Sequence, residues 1–321
     1  MKPGEEGAAL LSVLLLVAVM AVLSASILDR VGLATRLAGN AAGMSRAQQF
    51  AFAAEAIAAA RITDIAAADP SSPTARAWPE RSITLPLPGG RALARLSDGN
   101  NCFNVNSVVR RGDEGALIPD PTGVQQFAAL AILLGVGADQ ATALAARLAD
   151  WIDSDSAPAP GGGSESAAVG GALPPNRLLT DAGELRTLPG MTDAAWSRLQ
   201  PFICARPEPG LSPLNVDTLT ERDAPLLAML FAGRLPLATA RRVIAERPAG
   251  GYDSLVRFWD QGALGALKPA AAVRAQPVLA TRWFVLHLTV SVGDAELTET
   301  ALFDAEAKPA RLVSRRWGDA T

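Results

Sequence analysis

The chain has 321 residues, enough for one large domain or two ordinary ones. Its 29 Lys and Arg against 32 Asp and Glu leave a net charge of -3, a balance that argues against a general nucleic-acid binder. Two cysteines and one histidine cannot assemble a zinc site.

The first element runs from Ala8 to Leu28, a stretch without charge whose only polar side chains are Ser12, Ser24 and Ser26. Glu5 and Glu6 precede it, and Asp29 and Arg30 follow. About 20 apolar residues cross a bilayer as a helix, because a helix satisfies its backbone polar groups internally. A cleavable secretory signal would have a basic start, a shorter apolar core and small residues at its exit. Here the small residue, Gly7, comes before the apolar run, an order that predicts cleavage ahead of the membrane helix and retention of that helix.

After a weak zone containing Gly32, Gly39 and Gly43, apolar residues recur at Met44, Ala47, Ala51, Ala54, Ala58 and Ile65, mostly three or four apart, as on one helical face. Ser45 is placed to cap a restart, and Asp69-Pro70 ends the pattern. From Ala8 to about Asp64 this predicts a rod on the order of 80 Å long, with only its first third in lipid. Ile83, Leu85 and Leu87 then alternate, and Gly89-Gly90 turns the chain into a return strand from Arg91 to Leu96, with Pro86 marking the first strand as an edge. Cys102 to Ser107 could add a short strand. Residues 119–276 are helical in period: Phe127, Leu130, Leu133 and Leu134; Ala141, Leu144, Leu148 and Trp151; Trp196, Leu199 and Ile203; Leu226, Leu227 and Leu230; Ala240, Val243 and Ile244. Beyond them Phe284, Leu286, Leu288, Val290 and Val292 occupy every second place before a Gly293-Asp294 turn. Residues 296–303 return, and Arg311 to Trp317 supply a last strand. The expected fold is α+β, a long N-terminal helix packed on an antiparallel sheet with a large all-helical domain inserted between strands. Its segments are 1–7, 8–68, 69–118, 119–276 and 277–321.

Gly7 followed by Ala8-Ala9-Leu10-Leu11-Ser12 resembles the processing signal of type IV pilins and type II secretion pseudopilins. The resemblance implies cleavage by a prepilin peptidase after Gly7 and methylation of Ala8. Most of that family carries glutamate where this chain has Ser12. A carboxylate in hydrocarbon is costly without a partner, so the subunit with nobody ahead of it can omit it, which points to the tip of a fibre. Further segments resemble the minor pseudopilin K family: Cys102-Phe103-Asn104-Val105-Asn106-Ser107, Asp150-Trp151-Ile152-Asp153-Ser154-Asp155, Glu184-Leu185 with Leu188-Pro189-Gly190-Met191, and Leu214-Asn215-Val216-Asp217-Thr218. That family implies a non-enzymatic role: initiating a pseudopilus with minor pseudopilins I and J for export of folded periplasmic proteins. It also implies a single pass through the inner membrane with the bulk of the chain in the periplasm, where Cys102 and Cys204 could form one disulfide. Contact of the insert with cargo or with the secretion channel stays open.

Asp150, Asp153 and Asp155, with Glu165 across a Gly/Pro/Ser loop, offer the hard oxygen donors that calcium takes. The family is described as binding calcium in this region, although its usual second downstream carboxylate is missing here. The alternative is a solvated acidic turn. From a different class, the Leu188 to Met191 and Leu214 to Thr218 segments also resemble helix-hairpin-helix units, as in a membrane-tethered DNA receptor. Against it, Leu235-Pro236-Leu237 stands where a glycine hairpin is expected, and the acidic balance withholds the counterion-release term. His287 lies in an alternating strand with no nucleophile elbow around any serine, and Gly161-Gly162-Gly163 lacks a following Lys-Ser/Thr, so no catalyst is legible.

Overall fold

The computed structural model describes residues 5–68, 78, 82–155 and 174–318, with side chains in the first helix from Leu10 onward. Helix α1, Glu5–Ala67, is one unbroken element of 63 residues, roughly 95 Å long at 1.5 Å per residue. The expected restart at Ser45 does not occur; Ser45 lies within the helix and is exposed. An isolated helical glycine costs only about 1 kcal/mol, and Gly32, Gly39 and Gly43 are spaced too widely to break the hydrogen-bond ladder.

The C-terminal half of α1 lies on a five-stranded antiparallel sheet. Its strands are β1 (Ser82–Leu87), β2 (Gly90–Asp98), β3 (Trp283–Val292), β4 (Ala295–Asp304) and β5 (Arg311–Trp317), adjacent in that order. Pro86 does sit on an edge strand, where its missing N–H interrupts no ladder. Leu87 pairs with Gly90, so the first turn is Pro88-Gly89, one residue earlier than the pattern implied. Val292 pairs with Ala295, which leaves Gly293-Asp294 as the second turn. Alternate residues Phe284, Leu286, Leu288, Val290 and Val292 are buried against Ala47, Ala51, Ala54, Ala58, Ile62 and Ile65 of α1. Met44 is out of this contact, 37 % exposed. Gly43 marks where the rod first meets the sheet: a Cβ there would lie 3.0 Å from that of Ala295.

A second, larger core belongs to the insert between β2 and β3. It is built on helices α2 (Pro121–Leu133), α3 (Ala138–Ile152), α4 (Asp193–Leu199), α5 (Ala224–Met229) and α6 (Leu237–Ala245). Asp120 starts α2 by accepting the amide of Thr122 at 2.9 Å, with Pro121 in the first turn where its lack of an N–H costs nothing. The tryptophans Trp151, Trp196 and Trp259 are all buried in this core. Its boundary falls earlier than position 119. Phe103, Val105, Val108, Val109 and Leu117 pack with the helices, because their apolar side chains face Phe127 and its neighbours rather than α1. Phe103–Asn104 is a short strand, but it pairs in parallel with Ile203–Cys204 and does not extend the main sheet. Beside that pair Cys102 and Cys204, 102 positions apart in the chain, form a disulfide with Cα atoms 5.8 Å apart, closing the segment that contains α2, α3 and α4.

Candidate functional sites on the rod, the junction and the acidic turn

The rod is divided by what covers it. From Leu10 to Leu37 every large apolar side chain on α1 is at least 50 % exposed, around the whole circumference of the helix. The helix is long and apolar enough to cross a membrane, its most apolar 18-residue window having a mean hydropathy of 2.7. Gly7 and Ala8 lie in the first turns of α1, and Ser12 lies within the exposed stretch.

At the junction of sheet and insert, asparagine side chains substitute for missing backbone partners. The Asn104 side chain accepts the amide of Arg206 at 2.9 Å and donates to the Glu208 carbonyl at 2.9 Å. The amide group of Asn106 is fully used: it accepts from Leu179 N at 2.8 Å and donates to the carbonyls of Leu179 and Arg206 at 2.9 and 2.8 Å. Buried polar backbone must be paired, and these side chains pair three irregular segments at once. Asn100 accepts from Trp283 N at 2.9 Å, and Asn101 accepts from Asn215 N at 2.9 Å, tying the start of β3 to the insert. Asp98 accepts from the hydroxyls of Thr218 and Thr281. Burial pushes its carboxyl above the ordinary range, and those hydrogen bonds pull it only part of the way back. Arg206, also buried, donates to the Asn100 carbonyl at 2.9 Å and has its pKa lowered to about 10 by burial. This region is a junction knit together by buried hydrogen bonds.

The acidic turn follows α3. Asp150 and Asp153 are buried, whereas Asp155 is exposed. The amide of Asp153 still donates to the Ala149 carbonyl at 2.9 Å, closing the last turn of the helix. Next to it Ser154 is pinned to Leu117 by a hydrogen bond in each direction, both 2.9 Å. The Asn176 side chain donates to the Asp155 carbonyl at 3.2 Å, so the chain before residue 156 and the chain after residue 175 meet beside the turn. Glu165 lies outside the described residues. Among the described residues no three carboxylate, histidine or cysteine side chains converge on one point. The donor type fits calcium, but Asp150, Asp153 and Asp155 do not by themselves complete a shell.

The Leu188 to Met191 segment is a tight turn with Gly190 in the left-handed region, φ +86. Its carbonyls face inward: Pro189 accepts from Arg147 at 3.0 Å and Gly190 from Gln140 at 3.2 Å, which docks α4 on α3. His287 lies on the sheet face away from α1, 3.0 Å from the Ser97 hydroxyl. Burial first, and the Arg95 charge second, lower its pKa to about 4, which keeps the ring neutral at pH 7.

Two family models described as "Type II secretion system (T2SS), protein K" match residues 101–208 and 214–280. The chain is 32 % identical over 327 residues to type II secretion system protein K of Pectobacterium carotovorum subsp. carotovorum, covering 99 % of this chain and 98 % of that one. The protein K of Klebsiella pneumoniae is 33 % identical, covering 98 % and 97 %. In fold, the chain is similar to a crystal structure of the GspK-GspI-GspJ complex from the type 2 secretion system of enterotoxigenic Escherichia coli. That similarity has a TM-score of 0.73 at 24 % identity, over 86 % of this chain and 97 % of that one. The rod on a sheet, the helical insert between its strands and the full-length likeness to these relatives agree: the chain belongs to the type II secretion system protein K family.

Proposed function

We propose that this minor pseudopilin stands at the tip of a type II secretion pseudopilus and starts its assembly. The observation that carries the reading is the rod itself, its large apolar side chains exposed from Leu10 to Leu37, yet seated on a sheet and joined to a large insert beyond it. An uncovered apolar helix of this length is stable in lipid or in a bundle with similar helices. The solved complex to which the fold is similar holds GspI and GspJ beside GspK. By analogy, the exposed half of α1 bundles with the helices of minor pseudopilins I and J, and the small residues Ala18, Ala21 and Ala25 permit their close approach. Before assembly the helix holds the precursor in the inner membrane, with the rest of the chain in the periplasm. A prepilin peptidase cuts after Gly7, and Ala8 becomes the methylated N-terminus. Ser12 carries no charge that a preceding subunit would have to meet, which suits the first subunit of a fibre. The insert is bulky enough to keep another subunit from being added above it.

Mass spectrometry of the membrane-extracted protein, with and without a prepilin peptidase, tests the pathway. The expected result is a mature N-terminus at methylated Ala8 only when the peptidase is present; an intact Met1 in both samples overturns it. Restoring the carboxylate with Ser12→Glu should leave assembly initiation largely intact, and abolished assembly would refute the tip position.

Calcium is part of the same reading. Asp153 and Asp155, supported by Asp150 and Glu165, would hold the ion and so offset the repulsion of clustered carboxylates. Its role there is structural. Calorimetry on the detergent-solubilised chain should show calcium heat that is lost in Asp153→Asn, and no heat at millimolar calcium would end the claim.

A further inference from the structure

One cluster of charge lies inside the contact between α1 and the sheet, among the apolar residues that form most of that contact. Glu55 follows Ala51 by one helical turn and is buried on the seated face of the rod. Glu299 follows Leu297 by two residues on β4 and points to the same face; its side chain has 0 % exposure. Arg315 on β5 forms a two-pronged ion pair with Glu55 and approaches Glu299 at 3.7 Å from its Nε. Two buried carboxylates thus face a single guanidinium. Glu299 pairs across the sheet with Leu288 on one side and Trp317 on the other, so neither neighbouring strand offers it a charge at its own level. The side chains that β2 and β3 send toward α1 are Ala92, Ala94, Leu96, Phe284, Leu286, Leu288, Val290 and Val292, none of which titrates. Phe52 and Trp317 flank Arg315, their ring centroids 4.7 and 5.4 Å from its guanidinium carbon, which fixes the guanidinium toward Glu55. Neither carboxylate oxygen of Glu299 has a conventional hydrogen-bond donor within reach.

A buried carboxylate without donors is expensive, and a second one beside it adds repulsion. A single proton removes both costs. We propose that Glu299 carries that proton at neutral pH and shares it with Glu55, forming a carboxyl latch that seats the rod on the sheet and loosens as the medium turns alkaline. In this arrangement Glu55 is the ionised partner: burial pushes its carboxyl up, but the hydrogen bonds from Arg315 and Glu299 more than offset this and hold it below the ordinary range. Burial, followed by the hydrogen bond and charge of Glu55, pushes Glu299 up to about 8. Below the ordinary carboxyl range Glu299 is protonated whether the chain is folded or not, and it costs nothing. As pH rises past 4.5 the unfolded chain releases the proton while the folded one keeps it, so stability falls until the folded carboxyl also ionises near 8. The latch joins the rod, which the membrane holds, to the domain outside it, and it works whether or not this subunit is at the tip.

The test is thermal unfolding of the full chain in detergent micelles from pH 5 to pH 9, for the wild type, Glu299→Gln and Glu55→Gln. Glu299→Gln mimics the protonated acid and should match the wild type at pH 5. Between pH 5 and pH 8 the folded-to-unfolded ratio of the wild type should fall relative to this variant by up to roughly tenfold per pH unit. Glu55→Gln frees Arg315 for Glu299 and should flatten the same slope, which decides the matter should Glu299→Gln fail to fold. Parallel curves for the wild type and both variants would overturn the proposal. So would a Glu299→Gln variant that folds but is weakened equally at every pH, because Glu299 would then be ionised and paired throughout.

Discussion

The two halves of α1 are the same secondary structure placed in two different surroundings. From Leu10 to Leu37 Leu, Val, Met and Ile lie on all sides of the helix, with Asp29, Arg30 and Arg36 near the end of the stretch, and none of the described residues covers it. From Ala47 on, one face carries Ala47, Ala51, Ala54 and Ala58, with Ile62 and Ile65 near its end, and the rest carries Arg61 and Asp64. The contrast shows that a density of large apolar residues on a helix does not by itself mark its contact with its own domain. In the seated half the bulk comes from the sheet, in Phe284, Leu286 and Leu288, and the small alanines let the helix lie close to it. In the exposed half the bulk is on the helix because lipid has no fixed shape to fit.

Three pairs of substitutions would break or sharpen this contrast. The largest effect is expected from a charge in the first half. Leu16→Arg should raise the cost of membrane insertion by about 3 kcal/mol, seen as loss of the protein from the membrane fraction. Ala60→Arg, on the exposed face of the second half, should change stability by less than about 0.5 kcal/mol. Next comes size: Ala51→Leu forces bulk between α1 and the sheet and should lower stability by about 2 kcal/mol in chemical denaturation. Ala18→Leu in the first half should leave the folded domain unaffected. The smallest effect separates two glycines. Gly39→Ala has open space around the new methyl and should stabilise by roughly 0.5–1 kcal/mol. Gly43→Ala, with its Cβ 3.0 Å from that of Ala295, should gain about 1 kcal/mol less, measured as the difference in melting temperature. Equal gains at both sites would mean that the rod does not meet the sheet at Gly43.

Much of the architecture is legible in local patterns. The alternating run from Phe284 to Val292 and the segment Arg311 to Trp317 mark strands within a residue of their observed ends, and Pro86 marks an edge strand. The insert helices fall where Leu130, Leu144 and Leu226 recur. Even the buried charge left a trace. Glu55 is in helical phase with Ala51, Ala58 and Ile62, and Glu299 alternates in step with Leu297 and Ala301, both positions where a charged residue has to be buried. The trace gives the burial but not the meeting of the two residues, 244 positions apart in the chain. The asparagines left less. Asn104 and Asn106 read as part of a strand, and their service to the backbones of Arg206 and Leu179 has no periodicity to betray it.

By itself the sequence determined the membrane-length apolar rod, the alternating strands and the helical character of the insert. These follow from bilayer thickness and from side-chain periods that repeat within a few residues. Tertiary structure alone decided that residues 103–118 join the insert, that one unbroken helix passes through three glycines, and that Glu55, Glu299 and Arg315 meet in one buried cluster. Each of those outcomes depends on contacts between segments far apart in the chain, where packing and desolvation act and no local pattern records the partner.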